Sequence, residues 1–334
     1  VMRDFLNAWD GFQGTRRRTG SSQPFLHPMH SNRQIPVSVP FLPKTDRLPI
    51  QSFIMETKSF PTPQSKNADN NKSLKSPLGY LGGKSRLAKR IVEKIPSHTT
   101  YVEPFCGGAW VYFTKKPSRV EILNDRDGEL ANFWNVIRHH LPEFLRCLDF
   151  SIVSRAEFER ERSQDPGLLT DVQRAVRYYR LQRMGYGGKT TNRTFGTSVV
   201  RPSSLNLVTV EEKLRETHKR MARTTIENLD ACECIRRYDS PGSFFYIDPP
   251  YWEADFYAVS FKGEDFLRLR DTLKSIQGKF ILSLNDTPEV REIFKDFKIE
   301  SIETKYTLGN SKANKATRGK DRKEVLIHNL EEHL

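Results

Sequence analysis

Residues 244–252 read FFYIDPPYW, and the way this stretch folds decides the architecture. Phe244, Phe245, Tyr246 and Ile247 are aromatic and β-branched, the composition of a buried strand. Pro249 and Pro250 lack the N–H that a sheet ladder needs, so the strand ends at Asp248. A core strand therefore delivers a carboxylate, two prolines and two aromatic rings to its carboxyl end. That group is rich in acceptors and ring faces and poor in donors.

Outward from this strand, the chain alternates. TYVE (100–103), RVEIL (119–123), TTIENL (224–229), KFILSL (279–284), KIESIET (298–304) and EVLIH (324–328) add six strands, for seven in all. Leu87, Ile91 and Ile95 mark one face of a helix that ends at Pro96, and Leu130, Phe133, Trp134, Ile137 and Leu141 form a second helical stripe. Between residues 151 and 223 the alternation lapses into a mostly helical insert, with a helix near 168–184. Capping-box patterns stand there at Ser154–Glu157 and Thr209–Glu212. The pattern predicts a mainly parallel α/β sheet whose last two strands are joined without room for a helix.

Composition narrows the partners. Lysine and arginine number 54 against 41 acidic residues, a formal charge of +13, which favours a polyanion. No apolar run reaches the roughly 18 residues of a membrane span, and no secretory pattern opens the chain. The expectation is a cytoplasmic protein with reduced thiols, because Cys106, Cys147, Cys232 and Cys234 form no zinc or disulfide spacing. The first 75 residues are rich in proline and polar runs and read as a disordered or linker-like extension. Met55 offers a more natural start than Val1, so residues 1–54 are expected to be an upstream addition.

Ligands of open α/β sheets bind beyond the carboxyl ends of the strands, and three candidate elements fall there. EPFCGGAW (103–110) supplies a Gly107–Gly108 turn at the end of the first strand. Asp125, some 20 residues on in EILND, suits a carboxylate for ribose hydroxyls, although Asp125 or Asp127 would equally serve as a helix N-cap. The third element is DPPYW itself. GYLGGKS (79–85) nearly spells a phosphate-binding loop, but Leu78 stands where the first glycine belongs and no apolar strand precedes it, which excludes an ATPase reading.

Taken together and in order, LGYLGGKSRLAKRI, VEPFCGGAWVYF, ILND and YIDPPYW resemble the Dam class of DNA adenine N6-methyltransferases, the DPPY-type alpha group. The resemblance runs from about Leu78 to His328 and includes RMGYGGKTTNRTFG, LSLNDT and RKEVLI. It implies a Rossmann-like seven-stranded methyltransferase sheet carrying a helical target-recognition insertion. The chain then divides into an extension (1–75), a first catalytic part with the cofactor motifs (76–150), the insertion (151–223) and a second catalytic part with DPPY (224–334).

The resemblance also implies roles. S-adenosyl-L-methionine is the expected methyl donor and double-stranded DNA the partner, with no metal, no membrane and room for a paired restriction endonuclease. Tyr80, Lys84, Phe105, Gly107, Asp125 and Asp248 fall on cofactor-contacting positions, Tyr80 standing where many members have tryptophan. Asp248 and the Pro249 carbonyl would accept from the exocyclic amine of adenine, Pro249 and Pro250 stiffening the turn. Tyr251 would stack on a base flipped from the helix. Arg183, Tyr186, Lys189, Thr191, Asn192 and Arg193 are the expected DNA-reading residues. Gly187 replaces the usual asparagine and Lys189 a common apolar residue, so GATC stands beside a shorter or relaxed adenine site as the target. Cytosine N4 methylation, an RNA or protein-amide methylase and a DNA-binding relic without turnover are the rival readings.

Overall fold

The computed structural model describes residues 74–80, 84–149, 151–200, 202–252, 261–304 and 322–331. Nearly all of the N-terminal extension, Leu81–Gly83, Arg201 and almost all of the basic loop from Lys312 to Lys323 lie outside these residues. Seven strands are present among them: β1 (Thr100–Glu103), β2 (Val120–Asn124), β3 (Thr224–Glu227), β4 (Ser243–Ile247), β5 (Lys279–Asn285), β6 (Lys298–Thr304) and β7 (Arg322–His328). They form one sheet in the order β3-β2-β1-β4-β5-β7-β6. The first five run parallel, while β7 inserts antiparallel between β5 and β6. The sequence expectation of a Rossmann-like, mostly parallel sheet is met. Strand order reverses between β1 and β4, and their carboxyl ends flank the crevice where such sheets bind ligands.

Period-two alternation sends each strand into two cores. Phe244 and Tyr246 of β4 pack into one, with Tyr101, Leu123, Ile281 and Leu326. Phe245 and Ile247 pack into the other, with Val102, Ile122, Phe280 and Leu282. The second core is closed by α8 (Ala231–Arg237) and α9 (Gly263–Ser275). The first is closed by α1 (Ala88–Lys94), α2 (Trp110–Thr114), α3 (Gly128–His139), α4 (Leu141–Leu148) and the insert helices α5 (Arg155–Ser163), α6 (Asp171–Met184) and α7 (Leu207–Met221). Phe133 of α3 stacks on Tyr179 of α6 with centroids 5.8 Å apart, so insert and sheet share packed rings. Truncating such a buried phenylalanine costs about 3–5 kcal/mol.

Three local expectations change. The stripe from Leu130 to Leu141 is buried throughout, but the helix breaks at His140 because Pro142 opens a new helix that takes Leu141. Thr209 does not cap a helix: Asn206 accepts from the Val208 N–H at 3.0 Å and starts α7 earlier. Ser154 occupies the N-cap of α5 without a side-chain bond, while Glu157 pairs with Arg160. Within the insert a capping box joins Thr170 and Gln173 at the start of α6.

Candidate active site

The crevice between β1 and β4 opens into a cleft lined by residues of the segment before α1, the turn after β1, the end of β2 and the turn after β4. Its floor is the turn after β1. Gly107 has φ +45° and Ala109 φ +51°, left-handed conformations that glycine tolerates and alanine pays for. A Cβ on Gly107 would lie 2.9 Å from the Tyr80 ring, so only glycine lets that ring close over the turn. The turn is fixed from below, where Trp134 Nε1 donates to the Gly107 carbonyl at 3.3 Å and Asn124 Nδ2 donates to the Pro104 carbonyl at 2.8 Å.

At the end of β2 the two candidate acids separate. Asp127 is the N-cap of α3, accepting from Glu129 N–H at 3.0 Å. Asp125 accepts from Gly107 N–H and Asp127 N–H, both at 3.0 Å, and lines the cleft. Burial pushes its carboxyl up to about 6, against the pull of those backbone bonds. Glu103, at the tip of β1, also lines the cleft. It accepts from Tyr101 Oη and Tyr112 N–H, both at 2.7 Å, and burial raises it to about 8. Asp230, capping α8 and paired with Arg268 at 2.9 Å, completes the acidic rim. Tyr80, Lys84, Phe105, Gly107, Asp125 and Asp248, the expected cofactor contacts, all line this one cleft.

Asp248 follows β4 at its mouth. Lys84 Nζ, on a side chain 1% exposed, lies 2.9 Å from Asp248 Oδ1. Ser283 Oγ donates to the same oxygen at 3.1 Å. Burial raises the Asp248 carboxyl above the ordinary range, Lys84 opposing and Glu324 adding to the rise. Pro249 is buried and Pro250 lines the cleft. The Tyr251 hydroxyl accepts from Lys84 Nζ and donates to Glu324 Oε1 at 2.9 Å. Trp252 N–H donates to Asn285 Oδ1 at 3.1 Å, anchoring the far side of the turn to β5. Among the described residues no cluster of His, Cys, Asp and Glu is arranged to hold a metal ion.

This geometry accompanies a match between residues 80–308 and the model of the D12 class N6 adenine-specific DNA methyltransferases. The chain belongs to this family. It is 25% identical over 278 residues to a Type II methyltransferase of Lactococcus lactis subsp. cremoris, covering 75% of this chain and 93% of that one. A Type II methyltransferase of Paramecium bursaria Chlorella virus NC1A is 26% identical over 242 residues, 70% and 91% of the two chains. The DNA adenine methylase of Escherichia coli is 30% identical over 122 residues, 33% and 41%. The family sets aside cytosine N4, RNA and protein-amide methylation.

In this adenine-specific methyltransferase the expected DNA-reading residues split into two groups. Tyr186 is 50% exposed, Asn192 is exposed with φ +45°, and Lys189 and Thr191 are half-buried. These four sit on a short loop closed by the Gly185–Phe195 bridge and the Tyr186 N–H to Thr194 carbonyl bond at 2.8 Å. Arg183 and Arg193 are engaged within the protein. Arg183 donates to the Ser204 carbonyl. Arg193 donates to the Lys189 carbonyl at 3.1 Å and to Gln182 Oε1 at 3.3 Å, its guanidinium 5.0 Å over the Tyr178 ring. Sequence reasoning missed Glu103, Gln182, Asp230, Ser283 and Glu324. None of these five stands out in the sequence; Glu324 sits among Arg322, Lys323 and His328 in its own strand.

Proposed function

We propose that this chain transfers a methyl group from S-adenosyl-L-methionine to the N6 amine of an adenine in double-stranded DNA, after the base has turned out of the helix against Asp248–Tyr251. One observation carries the reading: a carboxylate braced by a lysine and a serine at the mouth of a glycine-floored cleft, at the switch point of a parallel sheet.

The cleft fits the methyl donor on its own features. The Gly107–Gly108 turn admits a ligand where any side chain would collide, under the ring of Tyr80. Asp125 faces the cleft with a carboxylate suited to two adjacent hydroxyls. Glu103 is a buried acid that, among the described residues, has no cation at hydrogen-bond distance, and it is suited to a positively charged group. Phe105 and Phe261, edge to face at 5.4 Å, provide an apolar wall for a purine. S-adenosyl-L-methionine, when bound, supplies an electrophilic methyl on a sulfonium.

The chain's own groups do the rest. The lone pair of an adenine amine is delocalised into the ring, so its nitrogen attacks poorly. Asp248 and the Pro249 carbonyl accept from the two N–H bonds and favour the pyramidal, nucleophilic nitrogen. Two prolines keep competing N–H donors away from these acceptors. Tyr251 presents a ring face to the base, worth roughly 1–3 kcal/mol in stacking. Tyr186, Lys189, Thr191 and Asn192 are the proposed base readers, and the domain roles follow the division at residues 76–150, 151–223 and 224–334. Relatives named as Type II methyltransferases support a place beside a restriction endonuclease, and a DNA substrate supports the cytoplasm.

The test is chemical. DNA incubated with protein and methyl-labelled donor is digested to nucleosides and separated. The label is expected in N6-methyl-2′-deoxyadenosine; label in N4-methyl-2′-deoxycytidine, or none in DNA, contradicts the reading.

A further inference from the structure

The geometry points to Glu324 as a positioning residue of this active site: it holds the Lys84 ammonium and the Tyr251 hydroxyl so that Asp248 stays available to the target amine. The inference rests on the adenine-methylation reading above. Glu324 lies on β7, flanked in the sheet by Asn285 of β5 and Ile302 of β6. It is 1% exposed and followed by the buried Val325, Leu326 and Ile327. A carboxylate in such a strand is costly unless charge and hydrogen bonds compensate it.

Its partners are active-site groups. Tyr251 Oη donates to Oε1 at 2.9 Å, and Lys84 Nζ stands 3.7 Å from Oε2. Lys84 Nζ also donates to Tyr251 Oη and lies 4.5 Å from the centroid of that ring. An ammonium only donates and an ionised carboxylate only accepts. The sequence of bonds Lys84 to Tyr251 to Glu324 thus has one direction, which orients the Tyr251 hydroxyl and with it the ring. One ammonium also serves two carboxylates. If Asp248 alone held Lys84, that ion pair would compete with the amine N–H bonds for the acceptor. Glu324 gives Lys84 a second anchor and weakens the competition.

A charge consequence follows. Asp248 is faced by Lys84 ahead of α1, Glu103 from β1, Tyr246 on its own strand, Tyr251 beyond the turn, Ser283 from β5 and Glu324 from β7. Glu324 raises the Asp248 carboxyl and Lys84 lowers it. Neutralising Glu324 removes a like charge and releases Lys84 from its second carboxylate. Both changes keep Asp248 ionised to lower pH.

The experiment measures steady-state methylation of duplex DNA against pH for wild type, Glu324→Gln and Glu324→Asp, with thermal melting of each. Wild type is read first; if it methylates no adenine, the functional reading itself falls and this inference with it. For Glu324→Gln, kcat is expected to fall about tenfold or more, KM for donor and for DNA to stay within about twofold, and the acid limb of kcat to move to lower pH. Glu324→Asp, which keeps the charge, is expected to recover part of kcat with the acid limb near that of wild type. Wild-type kcat in Glu324→Gln, a loss confined to KM, or an unmoved acid limb overturns the inference. If Glu324→Gln does not fold, Glu324→Asp decides: lowered kcat with an unmoved limb supports the role, and any other result overturns it.

Discussion

The side-chain amide of Gln182 donates to the Gly79 carbonyl at 2.6 Å, joining the helical insert to the segment that carries Tyr80. The same nitrogen donates to the Gly188 carbonyl at 2.7 Å, and the amide oxygen accepts from Arg193. Gln182 is 2% exposed on α6. Every hydrogen-bonding side of this buried amide meets a different piece of backbone or side chain, which ties the loop proposed to read DNA to the edge of the cleft.

Replacing it with methionine keeps volume and removes all three bonds. Each carbonyl left buried and unpaired costs about 1–3 kcal/mol. Gln182→Met is therefore expected to lower the melting temperature and to weaken donor binding and DNA binding together. Calorimetric titration of the donor, with and without DNA, checks this; a variant impaired for DNA alone would show that the two sites are not tied here.

Gly107→Ala tests the floor of the cleft. The left-handed backbone costs an added side chain about 1–2 kcal/mol, and its Cβ would press on the Tyr80 ring. The expected result is a KM for the methyl donor raised at least tenfold, with DNA affinity in a mobility-shift assay nearly unchanged. An unaltered donor KM would place the donor elsewhere.

Glu103 gives a pH signature. Its carboxyl is raised from 4.5 to about 8 in the folded protein, so the fold favours the protonated form. The native state then binds more protons than the unfolded chain between about pH 4.5 and 8, and stability falls as pH rises across that window. Glu103→Gln removes the penalty. Its stability is expected to match wild type near pH 4.5 and to exceed it at pH 8 by on the order of a few kcal/mol, read as a higher melting temperature at pH 8 alone, while donor binding weakens. Equal melting temperatures at both values would show that the carboxyl is not held neutral.

The loop proposed to read DNA separates two kinds of residue. Arg193→Ala is expected to lower stability and activity on every target sequence, because Arg193 braces the loop. Lys189→Ala and Asn192→Ala, or exchange of the Arg183–Arg201 stretch with that of a GATC-specific relative, are expected to change which adenines are methylated. Sequencing methylated genomic DNA reads the difference. An unchanged target after an exchange that preserves activity would move recognition to the basic loop at Lys312–Lys323.

The strands were legible because their apolar residues carry both faces of the sheet, so Phe244–Ile247 could be read as buried before any partner was known. Asp248 was legible because proline ends a strand by its covalent structure. Residue type alone does not tell Asp125 from Asp127, since a strand-end acid and an N-cap are the same residue two positions apart; the resemblance pointed to Asp125, and in the structure Asp125 accepts from Gly107 while Asp127 caps α3. Thr209 misled because Asn206 competes for the same helix start. Glu324 and Gln182 were not read as site residues because their partners lie 73 and 103 positions away in Tyr251 and Gly79, and local pattern contains nothing about such pairs.

The central claim is that Asp248 acts on the amine during transfer rather than in holding DNA. Most DNA affinity comes from phosphate contacts, and an interaction made in the transition state appears in the chemical step. Single-turnover methylation and DNA binding, measured side by side for wild type and Asp248→Ala, test it most directly. The account predicts a rate lowered by orders of magnitude with DNA affinity within a few-fold of wild type; near-normal methylation by Asp248→Ala would contradict it.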